Sequence, residues 1–295
     1  MRVKAIQLEP VAEAPPSPPP GVYYDLDDGL YNSWKDAFRS GWANKLLGST
    51  PAHLRWAIDH PNESTPALIL GRIVHAALLE PERFDKEFAR GPDVRLNTNI
   101  GKDQWARVEA DNPGKELLRF DDYNTAAQIV ESVWERPENQ HIRNYLLACE
   151  EREVTVLWPD EATSVKCRAR IDALGRGAGL IVDVKSTTCA APGAFESAIV
   201  EYGYAVQSAL YRRACEWAGW AIEDSIIIAV EKEPPFLASA LELTGPIVQE
   251  GDRQLAEALA IFAECERTGR WPGYESKTIP VSFPTWYWRK LESRG

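Results

Sequence analysis

The sequence predicts an α/β (α+β) domain: a central mixed β-sheet flanked by helices, behind a mainly helical N-terminal part. Three observations predict it. The hydrophobic period changes from helical to alternating after Glu150 and returns to helical near Ala194. Segments then run helix, three strands, helix, two strands, helix, an order that builds a layered fold with a mixed sheet. The 295 residues are 44% hydrophobic and 26% charged, ordinary globular values that suit one large domain.

The elements follow in order. Residues 1–21 carry six prolines in the first 20 positions and read as an extended flexible leader. The remainder, 22–295, reads as a single domain with a mainly helical part (22–150), an αβ core (151–245) and a C-terminal helix with a basic, aromatic tail (246–295). Tyr31–Ile58 has helical spacing. Thr65-Pro66 supplies an N-cap and a first-turn proline for a buried helix from Ala67 to Leu79, which Pro81 closes. Arg90–Asp122 is polar and reads as loops with short helices. Thr125–Val133 is helical up to Pro137. Glu153–Trp158 alternates as a strand, and Val165–Asp172 does the same. In the latter, Val165, Cys167, Ala169 and Ile171 face one way, while Lys166, Arg168, Arg170 and Asp172 face the other. A glycine-rich turn leads to Leu180–Lys185. Ala194–Trp217 reads as one long helix, Ser225–Glu231 and Phe236–Leu243 as two strands, and Pro246–Thr268 as a helix.

The chemistry gathers on the strands. Asp183 and Lys185 are two apart and leave the same sheet face. Asp172 ends the preceding strand and reaches that face if the two strands pair. Carboxylates side by side repel unless a cation sits between them, and a hard divalent ion such as Mg²⁺ suits oxygen ligands. Lys185 beside them suits activation of water or stabilisation of charge on a phosphate. Gln207 and Tyr211, at i and i+4, share one helix face; taken alone they read as packing.

These residues resemble the PD-(D/E)xK nuclease superfamily, in its RecB-type branch, and within it the exodeoxyribonuclease VIII nuclease domain and its phage relatives. The likeness rests on Asp172, Asp183-Val184-Lys185 followed by Thr187-Thr188, and Gln207 with Tyr211. It also rests on Ser49-Thr50-Pro51-Ala52-His53 and the block Gly71-Arg72-Ile73-Val74-His75 through Leu79-Glu80-Pro81-Glu82-Arg83-Phe84. It spans roughly residues 22–245. Ile171 stands where the superfamily's name has proline. The resemblance implies a restriction-endonuclease-like core, with Asp172, Asp183, the Val184 backbone carbonyl and His75 as metal ligands and Lys185 as the catalytic lysine. Gln207, Tyr211 and Glu153 would support them or position substrate, with Glu150 and Glu151 as rivals for the place of Glu153. Histidine suits Mn²⁺ better than Mg²⁺, so either metal serves.

The resemblance further implies an exonuclease that degrades linear double-stranded DNA from an end, 5′→3′, leaving 3′ single-stranded tails for a strand-annealing recombinase. It implies a ring-like trimer or tetramer and a bacterial or phage setting. The alternatives are a flap, single-strand or endonuclease of the same fold, a non-catalytic DNA-binding module, and, outside nucleic acids, a Schiff-base enzyme using Lys185. Lys166, Arg168, Arg170 and Arg176 outnumber Asp172 in 164–176 and are candidates for contact with DNA phosphates. The tail from Arg267 interleaves six basic residues with aromatic ones, a pattern that suits base stacking or simple packing.

Charge and composition exclude much else. The net charge of −11 argues against a non-specific nucleic-acid coat. No run of about 18 apolar residues predicts a membrane-spanning helix. The five scattered cysteines predict small core residues in a reducing cytoplasm rather than disulfides or an iron–sulfur cluster. His53, His60 and His141 carry no predicted role.

Overall fold

The structure, a computed structural model, describes residues 15–61 and 65–292. Most of the predicted leader and Arg294 of the tail lie outside the described residues. The N-terminal part runs β1 (Gly21–Tyr23), α1 (Asp28–Ser33), α2 (Ser40–Gly48), α3 (Pro51–Asp59), α4 (Pro66–Leu79), α5 (Pro81–Glu87), β2 (Phe88–Arg90), α6 (Asn99–Asp111), β3 (Glu116–Leu118), α7 (Phe120–Glu135) and α8 (Gln140–Ala148). The core follows as β4 (Glu151–Pro159), β5 (Lys166–Gly175), β6 (Leu180–Thr187), α9 (Pro192–Glu201), α10 (Tyr204–Trp217), β7 (Asp224–Glu231) and β8 (Ala238–Glu242). Two helices end the chain, α11 (Gly245–Thr268) and α12 (Thr285–Glu292).

Six strands form a mixed sheet in the order β1-β4-β5-β6-β7-β8. Only β6 and β7 pair in parallel there. Parallel neighbours need a crossover, which α9 and α10 provide. The pleat sends alternate residues to two cores. Ile171 and Ile181 pack with α2, α3, α10 and α11 on one face. Val182 and Val184 pack with α4, α7 and α8 on the other. This is the predicted fold class: a mixed α/β sheet between helical layers.

Local chemistry explains the helix limits. Thr65 Oγ1 accepts the Leu68 amide proton at 3.3 Å and Pro66 opens α4, as the sequence predicts. The predicted single helix over 194–217 is two. Tyr202 ends α9, and Gly203, at φ 65°, turns the chain through the left-handed region before α10. The stretch read as loops holds the 13-residue α6, capped by Thr98. Gly101 is its one buried residue, so no apolar stripe announced it. The folded part also reaches back beyond Val22. β1 pairs with β4, and Ser17 is buried, its amide and hydroxyl both bonded to the Asp36 carboxylate at 3.0 and 2.9 Å.

Candidate active site

The site forms where the sheet forks. β5 and β6 pair from Gly175↔Leu180 to Ala173↔Val182. Beyond that point β5 follows β4 and β6 follows β7. Asp172 and Asp183 are the first residues past the fork. The Val184 amide, without a ladder partner on β5, donates instead to Asp172 Oδ2 at 2.9 Å. Asp172 is therefore buried yet anchored, as a buried carboxylate must be.

His75 comes to the fork from α4. Its Nε2 lies 2.7 Å from the Val184 carbonyl oxygen. Its Nδ1 faces Asp172 Oδ2 at 3.5 Å and Glu153 Oε1 at 3.9 Å. Donation from Nε2–H to Val184 fixes the tautomer, so in the neutral ring the Nδ1 lone pair points at the carboxylates. Glu153 lies opposite Asp172 in the β4–β5 register, between the pairs Arg152↔Ala173 and Val154↔Ile171. Its φ is 49°, a left-handed conformation that costs a β-strand glutamate of order 1–2 kcal/mol. Ligand atoms of His75, Glu153 and Asp172 lie within 4.8 Å of one another, the one such group found among the described residues. An imidazole and two carboxylates suit Mg²⁺ or Mn²⁺, and the strained Glu153 backbone aims its carboxylate at the other two donors.

Asp183 and Lys185 lie on the neighbouring branch. Lys185 Nζ bonds Asp183 at 2.7–2.8 Å and lies 5.0 Å over the Tyr204 ring. Gln207 Nε2 donates to Asp183 Oδ1 at 3.1 Å and to Tyr211 Oη at 2.7 Å. Gln207 and Tyr211 thus stand together beside Asp183, although their spacing taken alone read as packing.

The titrations share one direction. Burial works against a charged His75, yet Asp172 and then Glu153 outweigh it and push its pKa up to about 9. Burial, helped by the charge of Asp172, pushes Asp183 up to about 6. Lys185 rises against its burial because Asp183 and Asp172 hold its proton. Tyr211 rises through burial and then through the same two carboxylates. The carboxylates thus hold His75 and Lys185 protonated, whereas Asp183 and Tyr211 rise first through burial.

A cleft of about 730 Å³ opens over the site, walled by α4, α5 and α9 and floored by the end of β6. His75, Glu153, Val184 and Lys185 line it, with Asp172 and Asp183 just beneath.

The structure brings together His75, Glu153, Asp172, Asp183, Val184, Lys185, Gln207 and Tyr211. It draws the ligand set differently from the expectation in two respects. Glu153 belongs to the ligand cluster itself, while Glu150 and Glu151 turn away to Arg176. Asp183 is held by Lys185 and Gln207 outside that cluster.

The predicted basic face is a correction. Arg168 is 1% exposed, stacks on Tyr31 and Trp34 and donates to the Tyr31 carbonyl. Arg170 bonds Asp28, and Lys166 bonds Asp36 and Ser17. Arg176 pairs with Glu151 and lies over Trp220. α1 and the chain on either side of it cover Lys166, Arg168 and Arg170, a long-range contact that alternation along β5 cannot reveal, while Arg176 stays exposed. Among the cysteines, Cys149, Cys167, Cys215 and Cys265 are buried as predicted, whereas Cys189 is exposed at the cleft. His53, His60 and His141 stay outside the site.

Comparison with known proteins places this geometry. Residues 43–279 match the family model described as a PDDEXK-like domain of unknown function (DUF3799). No curated protein matches the chain. Among solved structures, a protein from Eubacterium rectale, provisionally named an exonuclease, aligns over 88% of this chain and 97% of its own with a TM-score of 0.55 and 14% identity. A phage-related exonuclease from Haemophilus somnus 129PT aligns over 61% of this chain and 91% of its own, with a TM-score of 0.29 and 11% identity. A forked mixed sheet carrying Asp172, Asp183 and Lys185, matched over most of its length by one family model, shows that the chain belongs to the PDDEXK-like DUF3799 family.

Proposed function

We propose that this chain is a metal-dependent exodeoxyribonuclease that hydrolyses phosphodiester bonds of linear double-stranded DNA from an end. The observation that carries the reading is the His75–Glu153–Asp172 cluster beside the Asp183–Lys185 pair on the floor of an open cleft. His75, Glu153 and Asp172 would hold Mg²⁺ or Mn²⁺ with Asp183 at hand, while the Val184 carbonyl, taken by His75 Nε2–H, would orient the ring. A bound divalent ion lowers the pKa of its water and polarises a phosphoryl oxygen. Lys185, kept protonated by Asp183 and Asp172, would donate to the attacking water or to charge growing on the phosphate. Gln207 fixes the Asp183 carboxylate, so the lysine is held in place from behind.

The finer reading adds 5′→3′ polarity, 3′ tails passed to a strand-annealing recombinase, a ring-like homo-oligomer and a bacterial or phage cytoplasmic setting. It is supported by the sequence resemblance, and the provisional exonuclease name of the Eubacterium rectale protein agrees with end-directed cleavage.

Digestion of linear duplex DNA labelled at the 5′ or 3′ end tests it, with Mg²⁺, Mn²⁺ or EDTA and with closed circular DNA as control. Metal-dependent loss of linear DNA alone, abolished in Asp172→Asn, is the expected result. Cutting of circles would move the assignment to an endonuclease. DNA binding without cleavage would leave a non-catalytic module.

A further inference from the structure

Four lysine and arginine side chains line the cleft, and three are already matched. Arg72 forks onto Glu116 at 2.7 and 2.9 Å. Arg83 is ringed by Glu80, Glu87 and Asp28. Lys185 holds Asp183. Lys232 differs: among the described residues its ammonium makes no ion pair or hydrogen bond. The acid beside it, Glu231, is turned back to the amides of Ala190 and Leu237.

Lys232 stands at the end of the parallel pair. It follows β7 directly, and its amide donates to the Thr187 carbonyl at the end of β6 at 3.0 Å. Ser186 and Thr188 line the cleft there, and their hydroxyls have no hydrogen-bond partner among the described residues. One ammonium and two hydroxyls, all unclaimed, gather at the carboxyl ends of parallel strands, where open α/β sheets bind ligands. Two residues of β6, about 7 Å, separate Lys185 from Thr187, where the strand ends, and Thr188 and Lys232 follow at that end. The cluster therefore runs from Ser186, next to Lys185, to Thr188 and Lys232 past the end of β6, away from the reacting phosphate.

The helical wall adds a ring. Tyr202 lines the cleft and is 55% exposed. Its carbonyl accepts from Asn44 Nδ2 at 2.7 Å. Gly203 follows in the left-handed region, where Asn44 Oδ1 lies 2.1 Å from the place of any added Cβ. A locked corner thus presents the ring to the cleft.

We propose that Lys232, with the hydroxyls of Ser186 and Thr188, holds a phosphate of the bound strand next to the one being cleaved, and that Tyr202 stacks a base of that strand. The cleft is then a single-strand nucleotide subsite flanking the reacting bond. This rests on the nuclease reading above.

The test uses the full chain with Ca²⁺ as a hard cation for oxygen sites. Anisotropy of a labelled single-stranded oligonucleotide is measured across salt concentrations, and KM and kcat are measured with Mg²⁺. Lys232→Ala is expected to bind about tenfold more weakly. The slope of log affinity against log salt should flatten by about 0.7, one phosphate contact on a single strand. KM should rise with kcat retained, and Lys232→Arg should restore both. Tyr202→Ala should weaken binding with the slope unchanged, and Tyr202→Phe should restore it. Wild-type affinity and slope in Lys232→Ala, at unchanged Tm, would overturn this inference alone. The expected binding pattern with linear duplex left uncut under Mg²⁺ or Mn²⁺ would sustain the subsite and sink the nuclease reading. No binding of the oligonucleotide by the wild type, with linear duplex still degraded, would overturn this inference alone.

Discussion

Metal binding at the cluster must displace a proton, and the structure fixes which one. His75 Nε2 donates to Val184, so the proton on Nδ1 stands between the ring and the carboxylates of Asp172 and Glu153. Those carboxylates overcome burial and push the His75 pKa up to about 9. At pH 7 the ring is therefore charged, and freeing Nδ1 costs about 1.4 kcal/mol for each of two pH units, or about 2.7 kcal/mol. Affinity for Mn²⁺ should rise about tenfold per pH unit from pH 7 to 9 and then level off. Calorimetry in two buffers of different ionisation enthalpy should count about one proton released per ion at pH 7. His75→Gln should remove both the proton and the pH dependence. A flat affinity over this range, or no proton released, would refute the assignment of Nδ1. The same shift carries a stability sign. The folded state holds the proton more tightly than the unfolded state, so its contribution is complete below pH 6.5 and is lost as pH rises through about 9. With the side chain a quarter exposed, about 3 kcal/mol is the upper figure.

Other outcomes follow from single contacts. Glu153→Gly and Glu153→Ala both lose the carboxylate, so their difference isolates the backbone. Glycine in an ordinary strand is the less stable by roughly 0.5–1 kcal/mol, but at φ 49° it should be the more stable by about 1 kcal/mol in chemical denaturation. The ordinary order would remove the strain from the account. Ser17→Ala removes the hydroxyl, which bonds Asp36 and accepts from Lys166, while the amide bond to Asp36 stays, and should lower stability by about 1 kcal/mol. An unchanged Tm would show that the end of the leader is not anchored. Under native conditions at pH 8 a thiol reagent should label Cys189 alone. Burial pushes the thiols of Cys149 and Cys215 up to about 11 and 12, and Cys167 and Cys265 are buried too. Rapid labelling of a second cysteine would contradict that packing.

The sheet was legible because its strands carry their own pattern. Val165, Cys167, Ala169 and Ile171 do enter one core, and Asp183 and Lys185 do share a face and pair. The cap at Thr65 and the break at Pro137 are local chemistry and appear where they were expected. What stayed hidden is long-range. β1 has three residues and owes its existence to β4. The basic face of β5 is covered by α1, remote in sequence. The role of Glu153 depends on a left-handed backbone that no spacing signals. Tyr202-Gly203 did carry a turn signal inside the predicted helix. Lys232 stands out only when the partners of Arg72, Arg83 and Lys185 are known.

The central claim is that His75, Glu153 and Asp172 together hold the ion that cleaves DNA. Anomalous diffraction from crystals soaked in Mn²⁺ tests it most directly. The account predicts a peak ligated by His75 Nδ1 and the Glu153 and Asp172 carboxylates, within reach of Lys185, and no such peak in Asp172→Asn. A peak elsewhere, or a fork empty at saturating Mn²⁺, would contradict it.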